Sequence, residues 1–231
     1  MSTGFFITGN GTGVGKTFVS ALLLRGFFAL GYGTTYMKPV ETGCWASSYG
    51  RTSAGSDTMY ALGFTSLKTD INLHSPYRFS PPCSPYLAAR KDHREIDIRE
   101  ILQAYNNLNI NTSADIVIVE GAGGVLVPIN ENEYMADMMK SLGIPAVLVT
   151  NPGLGTLNHT FLSLRALEFY NIPVAGIVIN NAQNIERDFI YDDNVELIRR
   201  HVDPVPCLDV EHDCMDMSER LTEFCDAVIR R

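Results

Sequence analysis

The 231-residue sequence predicts an α/β fold in which helices cover both faces of a mostly parallel central sheet. Short apolar runs of strand length alternate with stretches that carry helical apolar spacing. Three of these runs are rich in Val and Ile without polar alternation, which is typical of strands buried on both faces: residues 115–119, 146–150 and 174–179. Alternation of strands and helices indicates a parallel sheet. Because no linker-like change of composition divides the chain, we expect a single domain over residues 1–231.

The same apolar patterns place the elements in chain order. A short strand at residues 4–8 precedes a helix at residues 16–30, which we expect to end at Gly31 because glycine favours helix C-termini. A second strand is predicted at residues 34–37. Later helices are predicted at residues 96–108, 135–142, 157–170, 195–201 and 221–229. Two segments are predicted to be irregular: residues 39–55, rich in Gly and Ser, and residues 73–85, with three prolines among the last five.

Composition narrows the classes of partner and location. The net charge of −8 argues against nucleic acid as a partner, because phosphate backbones select Lys and Arg patches. The five cysteines form no CxxC pair, which favours free thiols in a reducing cytoplasm over disulfides or a zinc site. No apolar run approaches the ~18–20 residues that span a bilayer, and no signal-peptide pattern is present. We therefore expect a cytoplasmic protein that does not enter a membrane.

The sequence GNGTGVGKT at residues 9–17 lies between the first strand and the first helix, which is the setting of a phosphate-binding P-loop. Glycines let backbone N–H groups converge on phosphate oxygens, and the helix N-terminus adds unpaired N–H groups. Lys16 supplies a positive charge for the β- and γ-phosphates, and the Thr17 hydroxyl can ligate Mg²⁺. The chain is therefore predicted to have a single-domain P-loop fold and to bind ATP with Mg²⁺.

The spacing of this loop differs from the usual GxxxxGK[ST] pattern, which would need glycine at Asn10 rather than at Gly9. One alternative is a glycine-rich strand–helix turn in which GKT occurs by chance. Another is a dinucleotide-binding fold, but no acidic residue ends the second strand and Lys-Thr follows the last glycine. The flanking strand and helix favour the P-loop.

Other polar residues follow predicted strands, where ligands of parallel sheets bind. Glu120 ends a buried strand and can reach a metal at the phosphate loop, or it can be a solvated or capping residue. Lys38 ends the second strand and points into the site or into solvent. Asp57 lies at a plausible helix start, where N-capping is the alternative role. Asn180 and Asn181 can read a base edge or shape a turn.

Several motifs together resemble the dethiobiotin synthetase family. They appear in order, cover residues 4 to about 208, and are more specific in combination than a P-loop alone. They are the phosphate loop, KPVETG at 38–43, SD at 56–57, PYRF at 76–79, PCSP at 82–85, VEGAGG at 119–124, LGTLNH at 154–159 and GIVIN at 176–180.

The resemblance implies a ligase reaction of biotin biosynthesis that uses CO₂, ATP and 7,8-diaminopelargonate. One amine captures CO₂ as a carbamate, whose oxygen attacks the γ-phosphate of ATP to give a carbamic–phosphoric anhydride. The second amine then closes a cyclic urea and expels phosphate. The products are dethiobiotin, ADP and phosphate.

The resemblance also implies individual roles. Mg²⁺ would be held by Thr17, Asp57 and Glu120. The residues implied in catalysis, which offset charge or contact the carbamate or phosphate, are Lys16, Lys38 and Thr12, with Thr42 on the substrate. The remaining implied ATP contacts are the loop residues Gly13, Val14 and Gly15, the adenine-reading Asn180, and a segment near the base formed by Pro206, Cys207 and Leu208.

In this family the substrate carboxylate is bound across a homodimer interface. The resemblance implies that the second subunit supplies donors from a turn and helix start, at Gly153, Leu154, Gly155 and Asn158. A helix N-terminus can bind such an anion without an arginine. The loop departs from the family at Gly13, where an acidic residue is often found, and at Asn10-Gly11, where Thr-Asp is commoner.

Three rival functions fit the sequence less well than this resemblance does. A partitioning or division-site ATPase would carry an additional lysine at the position of Gly11, and its switching function gives no reason for KPVETG. A cobyrinate-type amidotransferase would need a glutaminase domain of roughly 200 further residues. A non-catalytic nucleotide-binding module is the third alternative.

Overall fold

A computed structural model describes residues 2–44, 56–215 and 219–231. The strands in these ranges are β1 (Thr3–Gly9), β2 (Thr34–Met37), β3 (Val40–Thr42), β4 (Tyr77–Phe79), β5 (Ile116–Glu120), β6 (Ala146–Thr150), β7 (Val174–Asn180) and β8 (Cys207–Val210). The helices are α1 (Lys16–Ala29), α2 (Ser56–Leu62), α3 (Ile71–His74), α4 (Pro85–Lys91), α5 (Ile98–Thr112), α6 (Met135–Leu142), α7 (Thr156–Phe169), α8 (Phe189–Val202) and α9 (Glu219–Ile229).

Six of these strands form a parallel sheet in the order β2–β5–β1–β6–β7–β8, and β3 pairs with β4 in a separate short sheet. The middle strands are buried on both faces. Along β1, Phe6 packs with α5 and α6, while Phe5 and Ile7 point to the opposite face and pack with α1 and α9. The predicted α/β class, with a mostly parallel sheet between helices, is confirmed.

Several predicted elements are confirmed at both ends, among them β2, β6 and α6. Other helices begin at residues different from those predicted, because a capping side chain fixes the N-terminus. Asp97 accepts a hydrogen bond from the Arg99 N–H, so α5 begins at Ile98 rather than at residue 96. Asp188 likewise caps α8, which begins at Phe189 and not at residue 195.

The prediction that residues 73–85 are irregular is wrong in part. That segment contains β4, and its last proline is the first residue of α4, a position where proline lacks no needed N–H. In residues 39–55 the short strand β3 replaces part of the predicted loop, and residues 45–55 lie outside the described ranges. The strand β8 and the helix α3 were not predicted.

The parallel strands bring their carboxyl ends to one edge of the sheet, and the candidate site residues follow them there. β1 leads into the phosphate loop, β2 ends next to Lys38, β5 ends at Glu120 and β7 ends at Asn180. Across the described ranges, none of the helices has both the length and the apolar character that crossing a membrane requires.

Candidate active site

Two glycines of the phosphate loop have backbone conformations that L side chains rarely adopt. Gly13 has φ +79° and Gly15 has φ +84°, both in the left-handed region. A Cβ on Gly15 would also lie 2.2 Å from Nδ2 of Asn180. Helix α1 begins at Lys16 with no side-chain cap and no acidic residue in its first turn. Its first N–H groups therefore remain available to an anion.

The carboxylate of Glu120 lies at the centre of the site and is almost completely buried. Oε1 accepts hydrogen bonds from Thr17 Oγ1 at 2.8 Å and from Lys38 Nζ at 2.9 Å. Oε2 accepts from Tyr36 OH at 2.8 Å and from Ser20 Oγ at 3.0 Å. One carboxylate thus joins the first helix, the second strand and the fifth strand, and the adjacent ammonium balances its charge.

Lys38 is buried and forms ion pairs with both Glu120 and Asp57. Burial alone would lower its pKa, but the charges of the two carboxylates outweigh burial and raise the pKa above its ordinary value. The lysine is therefore protonated throughout the physiological range. Its backbone N–H donates to the carbonyl of His74 at 2.7 Å, which fixes the chain where β2 ends.

Lys16 is buried too, but its environment has the opposite effect. Its ammonium donates to the carbonyl oxygen of Gly11 at 3.0 Å. Burial lowers its pKa from 10.5 to about 8, and the charge of Lys38 adds to this, although Glu120 and Asp57 oppose it. A negatively charged ligand at this lysine would therefore stabilise its protonated form.

Asp57 is held at the site through Thr58, the next residue in the chain, which bonds to the buried carboxylate of Glu41. The sequence motifs did not assign Glu41 a role of its own. The carboxylate of Glu41 accepts hydrogen bonds from the N–H of Thr58 at 3.1 Å and from its hydroxyl at 2.6 Å. Both residues are buried, and Thr58 follows Asp57 directly in α2. Glu41 lies within the KPVETG motif, so the signal was present, but its role depends on a contact 17 residues away.

A cleft of about 320 Å³ opens beside these charged groups. Most of the predicted catalytic and metal residues line it: Thr12, Gly13, Gly15, Lys16, Thr17, Lys38, Thr42, Asp57 and Glu120. A second space of about 380 Å³ shares Thr12 and Thr42 with it and continues past Pro82, Cys83 and Val127. The two spaces form one groove with a charged end and a less polar end, which we call the reaction groove.

Two predicted sets lie away from the reaction groove. Asn180 donates from Nδ2 to the carbonyl of Val14 at 2.9 Å, so it packs on the back of the phosphate loop. In the sheet, Val210 is the β8 residue paired with Asn180, whereas Cys207 and Leu208 pair with Ile177 and Val178. Pro206, Cys207 and Leu208 are thus two or more residues from that edge, and their predicted contact with the base stays a prediction.

The predicted carboxylate-binding turn follows β6 and leads into α7. Gly155 is the N-cap of this helix, and Leu154 is 89% exposed. Gly153, Leu154, Gly155 and Asn158 do not line the reaction groove of the same chain. A role in substrate binding would therefore require a second chain.

The oxygen donors of the cleft suit a hard divalent cation. Thr17 offers a hydroxyl, and Asp57 and Glu120 offer carboxylates. No group of three or more His, Cys, Asp or Glu side chains that could hold a metal ion occurs among residues 2–44, 56–215 and 219–231. Two carboxylates and one hydroxyl leave positions for water and phosphate oxygens, which is how small hard cations are commonly held in phosphate-binding proteins.

Comparison with solved structures supports the fold. The chain is similar to a plasmid partition protein from Borrelia burgdorferi, with a TM-score of 0.59, 10% identity and coverage of 99% of this chain and 97% of that one. It is also similar to the cell division ATPase MinD of Pyrococcus furiosus, with a TM-score of 0.56, 17% identity and coverage of 99% and 98%. At such identities the likeness shows the fold alone.

Comparison with known sequences is more specific. The profile of the family described as AAA domain matches residues 3–210. The protein named ATP-dependent dethiobiotin synthetase BioD from Thermodesulfovibrio yellowstonii is 37% identical over 91% of this chain and 88% of its own length. Proteins of the same name from Nitrosospira multiformis and Anaeromyxobacter dehalogenans strain 2CP-C are 36% and 37% identical, covering 96% and 98% of this chain and 95% and 99% of theirs. The chain therefore belongs to the ATP-dependent dethiobiotin synthetase family.

Proposed function

We propose that the chain is an ATP-dependent ligase that converts 7,8-diaminopelargonate and CO₂ to dethiobiotin, with release of ADP and phosphate, in biotin biosynthesis. The names of the relatives and their coverage of nearly the whole chain support this activity. The observation that carries the proposal is the position of Lys38. Its ammonium lies between Glu120 and Asp57, in the same cleft as the phosphate loop and next to the less polar end of the reaction groove.

The reaction brings several anionic oxygens together, because a carbamate must approach the γ-phosphate of ATP. Two buried ammonium groups, of Lys16 and Lys38, face that region and offset the charge. The N–H groups at the start of α1 bind the phosphates, and the Lys16 ammonium pairs with the γ-phosphate as it is transferred. A neutral cleft would leave the repulsion between carbamate and triphosphate uncompensated.

The metal is proposed to be Mg²⁺, held by Thr17, Asp57 and Glu120, whose oxygens fit its preference. When bound, Mg²⁺ would offset negative charge on the phosphate oxygens. Lys38 hydrogen-bonds to the same two carboxylates in the structure. With those carboxylates holding a cation, the Lys38 ammonium would be free to donate to the carbamate.

The two bond-forming steps need the diamine to lie along the reaction groove. The carbamate oxygen attacks the γ-phosphorus and ADP leaves; the second amine then attacks the carbonyl carbon, and the C–O bond to phosphate breaks. Thr12 and Thr42 line both parts of the groove, so their hydroxyls can donate to the carbamate or the phosphate at this junction. Lys38 holds the carbonyl oxygens in place during ring closure.

The protein residues that contact the adenine base are also proposed rather than observed. Asn180 is proposed to read the adenine edge, and Pro206, Cys207 and Leu208 to pack beside the base. The contact between Asn180 and Val14 supports a link between base and phosphate binding. At Gly13 a Cβ would meet no atom within 4 Å. The space that the family's acidic side chain would enter is therefore empty of protein atoms in this chain.

A homodimer is proposed to complete the substrate site. Helix α7 leaves apolar side chains exposed on one side: Leu162 is 60% and Phe169 81% exposed, and Leu154 in the preceding turn is 89% exposed. A second copy of the chain packed against this surface would bring Gly153, Gly155 and Asn158 to the partner's reaction groove. The start of α7 would then bind the substrate carboxylate.

The remaining expectations are proposals with weaker support. The net charge of −8 supports small-molecule partners over nucleic acid. Free thiols at Cys83, Cys207, Cys214 and Cys225 support a reducing, cytoplasmic location. One sheet shared by both apolar layers supports a single domain over residues 1–231.

The proposed activity is tested by product analysis. Purified protein should form dethiobiotin and ADP in equal amounts only when the diamine, bicarbonate, ATP and Mg²⁺ are all present, as measured by mass spectrometry and coupled ADP detection. ATP hydrolysis that is indifferent to the diamine would contradict the proposal and would favour an ATPase switch. Lys38→Ala should abolish dethiobiotin formation while ATP binding persists; retained dethiobiotin formation, or loss of ATP binding, would refute its assigned role.

The pH dependence of ATP binding tests the role of Lys16. In the free protein its proton is lost as pH rises through about 8, whereas the complex needs the charged form. Affinity for ATP measured with a chelator, to exclude metal, should therefore fall with pH above about 8, by up to about tenfold per pH unit. Lys16→Arg should remove this dependence. A pH-independent affinity of the unchanged protein would contradict the assignment.

The same pKa shift predicts that the stability of the unliganded protein rises with pH, whereas its affinity for ATP falls. Between about 8 and 10.5 the unfolded chain binds the proton that folded Lys16 has lost. The contribution of Lys16 to the free energy of unfolding should therefore rise with pH across this range. Denaturation of the unchanged protein and of Lys16→Arg at several pH values isolates that contribution.

The proposed dimer is tested by mass in solution. At the concentrations used for the assay, the particle mass should be twice the chain mass of 25.5 kDa. Leu162→Glu, which puts a charge on the exposed side of α7, should shift the mass toward the single chain and reduce ring closure. A fully active single chain would overturn the proposal.

A further inference from the structure

The side chain of Asn10 links the phosphate loop to the start of α7 through three threonines. Its Nδ2 lies 2.7 Å from Thr150 Oγ1, 3.2 Å from Thr160 Oγ1 and 3.4 Å from Thr156 Oγ1. Thr150 ends β6, and the other two threonines lie one turn apart at the start of α7. We call these four residues the asparagine–threonine cluster.

The hydroxyls of the asparagine–threonine cluster also bond to one another. Thr150 Oγ1 lies 2.7 Å from the hydroxyl oxygens of both Thr156 and Thr160. The three threonines are 0–1% exposed, so water does not substitute for these bonds. An amide NH₂ donates two protons and each hydroxyl one, so removal of any member takes away at least one buried hydrogen bond of the cluster.

The turn before α7 is held from its other side as well. Asn194 in α8 donates from Nδ2 to the carbonyl oxygens of Pro152 at 2.8 Å and Gly153 at 3.2 Å. Within the turn, Asn151 Oδ1 accepts the N–H of Gly153 at 2.9 Å. The turn is thus attached to α8 by one amide and to the phosphate loop by another, and only the second attachment involves the nucleotide site.

A change at the phosphate loop on ATP binding would begin beside Asn10. The ammonium of Lys16 bonds to the carbonyl of Gly11, the residue that follows Asn10. A triphosphate attracts this ammonium and competes with that carbonyl for it. The backbone N–H of Asn10 donates to the carbonyl of Val149 at 3.0 Å, whereas its side chain contacts Thr156 and Thr160 of α7.

We propose that Asn10 is a positioning residue that couples ATP binding at one protomer to the carboxylate-binding turn which that protomer offers to its partner. The inference rests on the proposed function and on the proposed dimer. Neither Asn10 nor the three threonines touches the reaction groove, so the cluster acts through the position of α7. ATP binding that orders this turn favours diamine binding, and the diamine then favours ATP binding by the same factor, because coupling between two sites is reciprocal.

Calorimetric titration measures this coupling directly. A non-hydrolysable ATP analogue with Mg²⁺ is titrated into the unchanged dimer with and without saturating 7,8-diaminopelargonate. The diamine should tighten analogue binding by at least about fivefold. In Asn10→Ala this ratio should fall to about one, while the affinity for either ligand alone changes by less than about threefold.

Variants on the helix side give an independent test. Thr160→Val, which removes one hydroxyl, should also abolish the coupling, whereas Thr160→Ser should retain it. Thr112→Val removes a buried hydroxyl from α5, where it bonds to the carbonyl of Leu108, and serves as the matched control with unchanged coupling. If Asn10→Ala fails to fold, the Thr160 pair decides the matter.

Three results would overturn the inference. The first is a ratio of about one in the unchanged protein, and the second is an undiminished ratio in both Asn10→Ala and Thr160→Val. The third is a lower unfolding temperature with both ligands weakened equally, since that indicates a purely structural cluster. Dethiobiotin formation by the unchanged protein separates the two failures: product without this coupling refutes only the inference, and absence of diamine binding refutes the proposed function as well.

Discussion

The buried carboxylate of Glu120 is the constraint on which the active-site arrangement depends. It is the common acceptor for Thr17, Ser20, Tyr36 and Lys38, which come from the first helix and the second strand. A buried charge of this kind is tolerated only when it is paired and fully hydrogen-bonded, and removing one partner of such a pair typically costs ~3–5 kcal/mol. The other three donors hold the Glu120 carboxylate in place, and this carboxylate fixes Lys38 beside the phosphate loop.

The two lysines of the cleft differ because their neighbours differ. Lys38 lies between two carboxylates, and its pKa is raised despite burial. Lys16 has a carbonyl oxygen as its hydrogen-bond acceptor, and burial lowers its pKa to about 8. The first lysine is thus a permanent positive charge, whereas the charge of the second depends on the ligand that it meets.

Features that depend on neighbouring residues could be predicted from the sequence, whereas contacts between distant residues could not. Local patterns predicted the sheet and the phosphate loop, because apolar periodicity can be recognised within short segments. They also predicted that Lys38 and Glu120 lie close together, because both follow strands that end at the same edge of the sheet. The bond from Glu41 to Thr58 was not predictable, since it joins residues on either side of a long connection. The contact of Asn10 with Thr160 is equally non-local, and β8 is too short to stand out from its neighbours.

Glu120 is proposed to organise both the lysine and the metal site, and calorimetry of Glu120→Gln tests this role. Affinity for ATP with Mg²⁺ should fall at least about tenfold, because a charged hydrogen-bond acceptor is lost. Affinity for ATP with a chelator should change by less than about threefold, which is below 1 kcal/mol, since Lys16 and the loop are intact. Glu196→Gln on the surface is the matched control, and denaturation confirms that both variants fold. An unchanged affinity for ATP with Mg²⁺ in folded Glu120→Gln would contradict the account.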